Sequence, residues 1–272
     1  SRKLDGVRTL CVKKNNDTNC YSRTGNELGQ LDKIKDTLNK MPIDDIVFDG
    51  EAVIIDKQGQ EYFRLTSSLL NSKKEDTITN ILTKMKQLKA DPHYMIFDLI
   101  PLKDFKKMEG STSYSEKYSN MNTLKWLNTP HTTLVPQKQA SSFSEVKKAF
   151  DHAIEQNWEG LILRNGQAGY QGKRTNNLLK YKSFQDAEFS VVGAFAGDKD
   201  TKYSNTMGGL IIDIKGNQIH VGTGFTDDER NTYWDQYQNG TLGKTATIKF
   251  QREEINPDGS HTLILPSFKS FR

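Results

Sequence analysis

The chain has 272 residues, of which 35% are hydrophobic and 26% are charged. That composition is typical of a globular protein, and the length suits one large domain or two ordinary ones. No run of about eighteen apolar residues occurs, so the sequence predicts no helix that spans a membrane. The net charge of +4 fits a polyanionic partner but does not by itself identify one.

The cysteine and histidine content argues against a zinc site. Two cysteines, Cys11 and Cys20, and five histidines occur at no spacing typical of zinc ligands. Two cysteines make no disulfide framework, so we expect both to be reduced thiols in or near strands. No signal peptide is visible, and we expect a cytoplasmic protein. Because the chain begins at Ser1 and not at Met, we also expect native residues before it.

In the first two thirds of the chain, apolar runs of strand length alternate with helical periodicity. Strands are predicted at residues 7–12, 46–55, 94–100, 160–164 and 178–184. Apolar stripes with the 3.6-residue period predict helices within residues 28–41, 78–88 and 146–154, with each stripe facing the core. Residues 101–115 contain Lys103, Lys106 and Lys107, and we expect a solvated surface loop there.

After Phe184 the pattern changes to short strands separated by polar turns. Strands are predicted at residues 188–195, 209–214, 218–221 and 246–252. A helix is predicted at residues 226–237, because Thr226 followed by Glu229 forms a capping box. Strands with one helix predict a small closed β-barrel, with the OB-fold as the leading possibility. The boundary is placed so that residues 1–183 and 184–272 form separate domains.

Several short strings combine lysines, acids and glycines with strand-like segments. The first is Lys3-Leu4-Asp5-Gly6-Val7-Arg8, which alone is a weak signal because such strings occur by chance. Five more strings follow it in order: Tyr21-Ser22-Arg23-Thr24-Gly25, Phe48-Asp49-Gly50-Glu51-Ala52-Val53, Tyr94-Met95-Ile96-Phe97-Asp98, Glu159-Gly160-Leu161-Ile162-Leu163-Arg164 and Leu178-Leu179-Lys180-Tyr181-Lys182. The ordered series resembles the motifs of the covalent nucleotidyltransferases, which include DNA ligases, RNA ligases and mRNA capping enzymes.

The resemblance implies that Lys3 attacks the α-phosphate of a nucleotide and carries the nucleotide as a phosphoramidate. A lysine with the ordinary pKa of about 10.4 is protonated at pH 7, so presenting the free amine costs roughly 4 to 5 kcal/mol unless the site lowers that pKa. A divalent cation and the nearby Lys180 and Lys182 would lower it, and they would also neutralise charge on the phosphates. We therefore expect these three lysines to be catalytic.

The acids of the motifs are candidates for binding a metal ion. Glu159 and Glu51 supply the hard oxygen ligands that Mg²⁺ prefers, and Glu51 could instead hold the ribose. An unpaired carboxylate in an apolar strand is costly, so Glu51 is difficult to explain as a structural residue alone.

The remaining roles also come from the resemblance. It assigns Arg8 to the ribose, Phe97 to stacking on the base and Arg174 to nucleotide binding. Ser22 and Arg23 are expected to grip phosphate at a nick. In a purely structural interpretation, Arg8 and Arg23 are exposed strand ends and Phe97 is a core residue.

The second domain distinguishes members of the superfamily. Residues 222–230 resemble the glycine-rich turn and helix of a DNA-ligase OB domain, and residues 265–272 resemble the closing motif of small phage and viral ligases. Lys269 and Arg272 are therefore candidates for orienting ATP or pyrophosphate. The resemblance implies an α+β protein with an ATP-grasp-like adenylyltransferase (nucleotidyltransferase) domain of antiparallel sheets and helices, followed by an OB-fold domain.

The implied function is that of an ATP-dependent DNA ligase, which uses ATP and Mg²⁺ and acts as a monomer on nicked double-stranded DNA. The alternatives are an RNA ligase or a capping guanylyltransferase with the same lysyl-nucleotide chemistry, or an inactive nucleic-acid-binding module. The choice of ATP over GTP follows from the resemblance, since Ser1 stands where relatives often recognise the base.

Overall fold

In the computed structural model, which describes residues 1–156, 158–255 and 259–272, the chain divides into two units, Ser1–Tyr181 and Lys182–Arg272. This division falls two residues before the domain boundary expected from the sequence. Of the helices described, none is long and apolar enough to cross a membrane.

The first unit mixes strands with helices. In chain order it contains β1 (Val7–Lys14), β2 (Asp17–Ser22), α1 (Asp32–Asn39), β3 (Ile46–Ile55), α2 (Phe63–Asn71), α3 (Glu75–Leu88), β4 (Asp91–Pro101), α4 (Leu102–Lys107), β5 (Glu109–Gly110), α5 (Tyr114–Thr123), β6 (Thr132–Leu134), α6 (Phe143–Glu155), β7 (Gly160–Arg164), β8 (Tyr170–Gln171) and β9 (Leu178–Lys182). The main sheet has the strand order β2-β1-β3-β4-β6, with only the β4–β6 pair parallel. Two further pairs, β5–β8 and β7–β9, form small sheets.

Strand β3 lies at the centre of this sheet and is buried along nearly its whole length. Phe48 packs in the large core cluster on one face, whereas Val47 packs with Ile100 and Leu102 on the other. Because strand side chains alternate between faces, a strand covered on both sides reads as a continuous apolar run. The predicted strand at residues 46–55 is confirmed for this reason.

A β-bulge interrupts the pairing of β3 with β4. Asp49 pairs with Asp98 but Gly50 pairs with Ile96, so Phe97 is an extra residue in β4. Ile96 and Leu99 both pack in the large core cluster, which leaves Phe97 and Asp98 together on the opposite face. A bulge re-aims side chains in this way, because it breaks the alternation by one residue.

The expected loop at residues 101–115 is wrong, although its three lysines are exposed as predicted. Residues 102–107 form helix α4, residues 109–110 form strand β5, and α5 begins at Tyr114. Leu102 and Phe105 pack in an apolar cluster with Ile100, and this burial holds the short helix in place. The segment is rich in lysine, which is typical of a loop, but Leu102 and Phe105 are three residues apart and give it one apolar side.

The expectation of reduced cysteines is also wrong. Cys11 and Cys20 are directly opposite each other in the antiparallel β1–β2 hairpin, and a disulfide joins them. Both residues are fully buried. Disulfides persist in oxidising compartments and are rare in the cytosol, so the cytoplasmic location stays a prediction.

Helix α1 is shorter than the predicted helix within residues 28–41. The buried side chain of Lys13 caps its C-terminal end. The Nζ atom of Lys13 donates hydrogen bonds to the carbonyl oxygens of Leu38 (3.1 Å), Asn39 (3.0 Å) and Met41 (2.7 Å). The last carbonyls of a helix have no partner within the helix, and a cation also interacts favourably with the negative end of the helix dipole. Lys13 is therefore a structural residue of β1.

We expect Lys13→Met to lower the free energy of unfolding by about 2 to 4 kcal/mol, because it leaves buried carbonyls unpaired. Urea denaturation measures this change. Lys14→Met is the matched control, since Lys14 is adjacent in the sequence and exposed. Equal effects of the two substitutions would contradict the role of Lys13 as a cap.

The second unit is a five-stranded antiparallel sheet with one helix and a hairpin. Its elements are β10 (Gln185–Ala196), β11 (Met207–Ile214), β12 (Asn217–Val221), α7 (Asp227–Gln238), β13 (Thr245–Phe250), β14 (Arg252–Ile255), β15 (His261–Ile264) and β16 (Ser267–Phe271). The sheet order is β12-β11-β10-β13-β16, and β14 pairs with β15. The capping box of Thr226 and Glu229 at the start of α7 is confirmed.

No ladder between β12 and β16 closes this sheet in the part of the chain that the structure describes. The expected closed barrel is therefore not confirmed by the described strand pairs. At one end the two edges are linked nevertheless, because the Phe268 amide donates to the Thr223 carbonyl over 2.9 Å.

An arginine fixes helix α7 to the sheet. Arg230 is buried and donates to the carbonyl oxygens of Met207, Gly208 and Gly222 at 2.7 to 2.8 Å. Its guanidinium also lies over the ring of Tyr203, 4.3 Å from the centroid. Arg230 thus has a structural role that the sequence analysis did not identify.

Candidate active site

Pairing with strand β7 places Lys3 beside Glu159. The Lys3 amide donates to the Gly160 carbonyl over 2.8 Å, and Arg2 forms a bridge with Leu161. Glu159 directly precedes β7, so its carboxylate reaches the Lys3 Nζ atom and forms an ion pair with it. The two side chains are only 14% and 7% exposed.

The glycines of the first and third motif strings permit close packing of the backbone. A Cβ atom at Gly6 would lie 2.4 Å from the Ala52 carbonyl oxygen and 2.8 Å from Cγ of Glu51. A Cβ atom at Gly50 would lie 2.5 Å from the Met95 carbonyl oxygen. Only glycine lets the segment after Lys3 pass this close to β3, and β3 this close to β4.

Arg8 is held by a carboxylate that the sequence analysis did not assign. Its Nε and NH2 atoms donate to the two oxygens of Asp49 at 2.9 and 2.7 Å, a bidentate arrangement. Asp49 is buried, and its charge raises the pKa of Arg8. The Arg8 side chain remains 48% exposed, so it is oriented by Asp49 and still open to a ligand.

Glu51 lies on the same face, opposite Arg8 in the β1–β3 register. Burial raises the pKa of Glu51 from its ordinary 4.5 to about 7. The nearby positive charges of Lys3 and Arg8 lower it, and the negative charges of Glu159 and Asp49 raise it further. These interactions show that Lys3, Arg8, Glu51 and Glu159 form one electrostatic cluster.

A second layer of charges lies beside this cluster. Asp98 faces Asp49 across the β3–β4 pair and is almost fully buried. Its carboxylate is 2.6 Å from the Lys117 Nζ atom and 3.6 Å from Arg164. Arg164 in turn lies 3.9 Å above the ring of Tyr114.

Phe97 lies next to Asp98 on the face created by the bulge. It is half-buried and packs in a small cluster with Leu4, Val53 and Met95. Because Leu4 follows Lys3 directly, the ring borders the lysine segment. The position fits a stacking surface, and it also has the packing of a core residue.

The predicted nick-binding residues lie at the end of β2. Ser22 pairs with Thr9, the neighbour of Arg8. The Ser22 hydroxyl accepts from the Asn26 amide over 3.1 Å and stabilises a turn in which Gly25 has a φ of 84°. Arg23 is exposed in this turn.

The other predicted site residues are exposed on the first unit or belong to the second unit. Arg174 and Lys180 are exposed on the first unit, Lys180 in the strand that pairs with β7. In the second unit, Lys182 donates to Gln251 over 3.3 Å. Lys269 pairs with Asp186 and Arg272 with Glu188, each at 2.5 Å.

The described residues contain no group of three or more histidine, cysteine, aspartate or glutamate side chains arranged to hold a metal ion. Glu51 and Glu159 nevertheless present two carboxylates around Lys3. Mg²⁺ typically binds one or two carboxylates and takes its other ligands from water and substrate phosphates, so this pair fits Mg²⁺ with a nucleotide.

A family model described as ATP dependent DNA ligase domain matches residues 1–182. The match covers well over half of the chain, and the chain therefore belongs to the ATP-dependent DNA ligase family. The mixed α+β architecture of the first unit agrees with this membership.

Individual relatives are distant. The DNA ligase of Enterobacteria phage T6 is 25% identical over 255 residues, which cover 82% of this chain and 51% of the phage protein. The chain thus spans about half the length of this relative. A solved Lig E DNA ligase, studied for DNA binding with a minimal scaffold, is 27% identical with a TM-score of 0.73, and the match covers 100% of this chain and 91% of that one. The structure named Pmar-Lig_Pre has a TM-score of 0.81 at 22% identity, covering 100% and 62%, and shows the fold alone.

The raised pKa of Glu51 predicts a pH dependence of stability. Between pH 4.5 and about 7, the folded protein holds a proton on Glu51 that the unfolded chain has lost. The contribution of Glu51 to the free energy of unfolding is therefore largest at low pH. It decreases as the pH rises through the pKa that Glu51 has in the folded protein. We expect Glu51→Gln to reduce this fall.

The measurement is the free energy of unfolding at several pH values between about 5 and 8. Glu109→Gln is the control, because Glu109 is exposed. If Glu51→Gln follows the wild-type pH curve as closely as Glu109→Gln does, Glu51 is not a buried carboxyl with a raised pKa.

Proposed function

We propose that this protein is an ATP-dependent DNA ligase that seals nicks in duplex DNA through AMP carried on Lys3. The observation that carries the proposal is the pairing of a nearly buried Lys3 with Glu159, beside Glu51 and the Arg8–Asp49 pair. A lysine held solely for stability would not need two carboxylates and an oriented, half-exposed arginine around it.

In the first step the Lys3 amine attacks the α-phosphorus of ATP. A nitrogen–phosphorus bond forms, the bond to the bridging oxygen breaks, and pyrophosphate leaves. The ammonium must lose its proton before it attacks, and Glu159 is the carboxylate in contact with it. A bound Mg²⁺ would supply positive charge that favours the uncharged amine and stabilises the phosphates.

In the second step the 5′-phosphate at a nick attacks the phosphorus of the AMP, and Lys3 leaves. In the third step the 3′-hydroxyl attacks the activated 5′-phosphate, which seals the strand and releases AMP. Arg8 holds the ribose in this scheme, because Asp49 fixes the direction of its guanidinium. Phe97 stacks on the adenine, and Lys180, Lys182 and Arg174 balance phosphate charge.

The nick is gripped by Ser22 and Arg23 in this proposal. The turn that carries them begins where β2 ends, one register position from Arg8. An exposed arginine on a hydrogen-bonded turn suits phosphate, since its fork can contact two oxygens.

The second unit is proposed to be an OB-fold domain that binds the duplex, and Lys269 and Arg272 orient ATP. The bond from the Phe268 amide to Thr223 supports an OB-fold, since it links the two edges of the sheet. Gly224 permits this approach, because a Cβ atom there would lie 2.2 Å from the Phe268 carbonyl oxygen. The proposed enzyme consists of domains 1–183 and 184–272 and acts as a monomer.

We expect Lys3→Ala to abolish uptake of label from α-labelled ATP with Mg²⁺, because the substitution removes the amine that is paired with Glu159. Lys14→Ala, an exposed lysine on β1, should label like the wild type. Labelling with GTP and a chase with nicked DNA or nicked RNA identify the nucleotide and the substrate. Persistent label in Lys3→Ala would show that the nucleophile lies elsewhere.

We expect Arg23→Ala to take up AMP normally but to seal nicked duplex about ten- to a hundredfold more slowly, the effect of losing a charge-assisted contact. Single-turnover sealing by protein already loaded with AMP measures this step separately. Equal losses in AMP uptake and in sealing would contradict the assignment of Arg23 to the nick.

A further inference from the structure

Helix α4 presents a row of three lysines that neither the core nor the proposed chemistry explains. Leu102 and Phe105 point into the apolar cluster with Ile100, whereas Lys103, Lys106 and Lys107 are exposed. Residues three and four apart lie on one side of a helix. We call Lys103, Lys106 and Lys107 the α4 cationic face.

Structural explanations account for only part of this face. Lys106 and Lys107 are in the last turn of α4, where the helix dipole favours cations. Lys103 is in the first turn, where the dipole disfavours a cation. None of the three lysines forms an ion pair with any residue that the structure describes, although Asp104 and Glu109 are close in the sequence. An unpaired cation where the dipole is unfavourable suggests an external anion.

Further cations are brought next to the face by strand pairing. Strand β5 follows α4 and pairs with β8, and the Gly172 amide donates to the Met108 carbonyl over 2.8 Å. Lys173 and Arg174 follow Gly172 directly and are exposed. Five cations and two acids are therefore gathered in this part of the surface.

Tyr170 connects this surface to the candidate site. Its ring stacks on Phe105 of α4 with 6.3 Å between the centroids. Burial raises the pKa of Tyr170, and the nearby charge of Asp49, the partner of Arg8, raises it further. Phe105 of α4 and Tyr170 also pack in one apolar cluster with Leu10, which lies two residues after Arg8 on β1.

We propose that the α4 cationic face binds the phosphate backbone of duplex DNA beside the nick. This inference rests on the proposed function for the identity of the polyanion. A row of exposed lysines next to the site would neutralise several phosphates without reading sequence, and each neutralised phosphate releases counterions. Binding through this face is therefore sensitive to salt and independent of base sequence.

The test is the salt dependence of binding to nicked duplex. Lys106→Ala with Lys107→Ala should reduce the slope of log affinity against log salt by about 1 to 2, since each phosphate contact contributes about 0.9. At about 50 mM salt we expect the dissociation constant to rise about tenfold. AMP uptake by Lys3 from ATP should be unchanged, because neither lysine is part of the proposed nucleotide site.

The matched control is Lys84→Ala with Lys86→Ala, which removes the same charge from exposed positions on α3. If the control lowers affinity and slope as much as the α4 variant, or if the α4 variant keeps the wild-type slope, the proposal is overturned. Thermal unfolding of both variants checks that the fold is retained.

Failure of this inference is distinct from failure of the proposed function. Wild-type protein that binds nicked duplex but takes up no AMP would refute the ligase and leave the α4 face testable by binding alone. A protein that loads AMP and seals nicks, with an unchanged slope in the α4 variant, would refute only the binding surface.

Discussion

The close passage of residues 3–6 over strand β3 is the constraint on which the candidate site depends. Pairing with β7 fixes Lys3 beside Glu159, and the absence of a side chain at Gly6 lets the chain descend onto β3 next to Glu51. A side chain at Gly6 would collide with backbone, which cannot move without disturbing the central strand. Lys3 and both carboxylates are therefore positioned by packing, and their spacing is as rigid as the core beneath them.

The charged side chains of the first unit differ in how exposed and how fully paired they are. Near the surface, Arg8 is paired on one side and open on the other, and this leaves it available to bind. Deeper, Asp98 is paired with Lys117 and Arg164 with very little exposure. Removing one partner from a buried pair is costly because it leaves an uncompensated charge. Lys117 and Arg164 thus compensate the charge of Asp98, which faces Asp49 across the β3–β4 pair.

The sequence predicted those features whose signal is local. Strand β3 could be predicted because a strand buried on both faces is a continuous apolar run, and the start of α7 because Thr226 and Glu229 are three residues apart. The motif strings identified Lys3, Arg8, Glu51 and Glu159 as candidate site residues. In the structure the other three interact electrostatically with Glu51. The roles assigned to them remain proposals.

Features that depend on distant partners could not be predicted in this way. The function of Lys13 as a helix cap requires knowing that α1 ends over β1. The Cys11–Cys20 bond requires the register of the β1–β2 hairpin, since only directly opposite residues are close enough. Helix α4 was missed because lysines dominate its composition while two apolar residues decide its position. The signal for Asp49 was present, as an acid two residues before Glu51 on the same strand face.

The bulge in β4 changes how densely a strand can present functional groups. In a regular strand, neighbours on one face are separated by two residues, or roughly 6.6 Å at about 3.3 Å per residue. Because Phe97 is an extra residue in the pairing, an aromatic ring and a carboxylate emerge from consecutive positions on the same side of the sheet. One strand therefore places a half-buried aromatic ring and a buried carboxylate, already paired with Lys117, at half the usual interval. The ring can border a planar ligand while the adjacent carboxylate ties the same strand to helix α5.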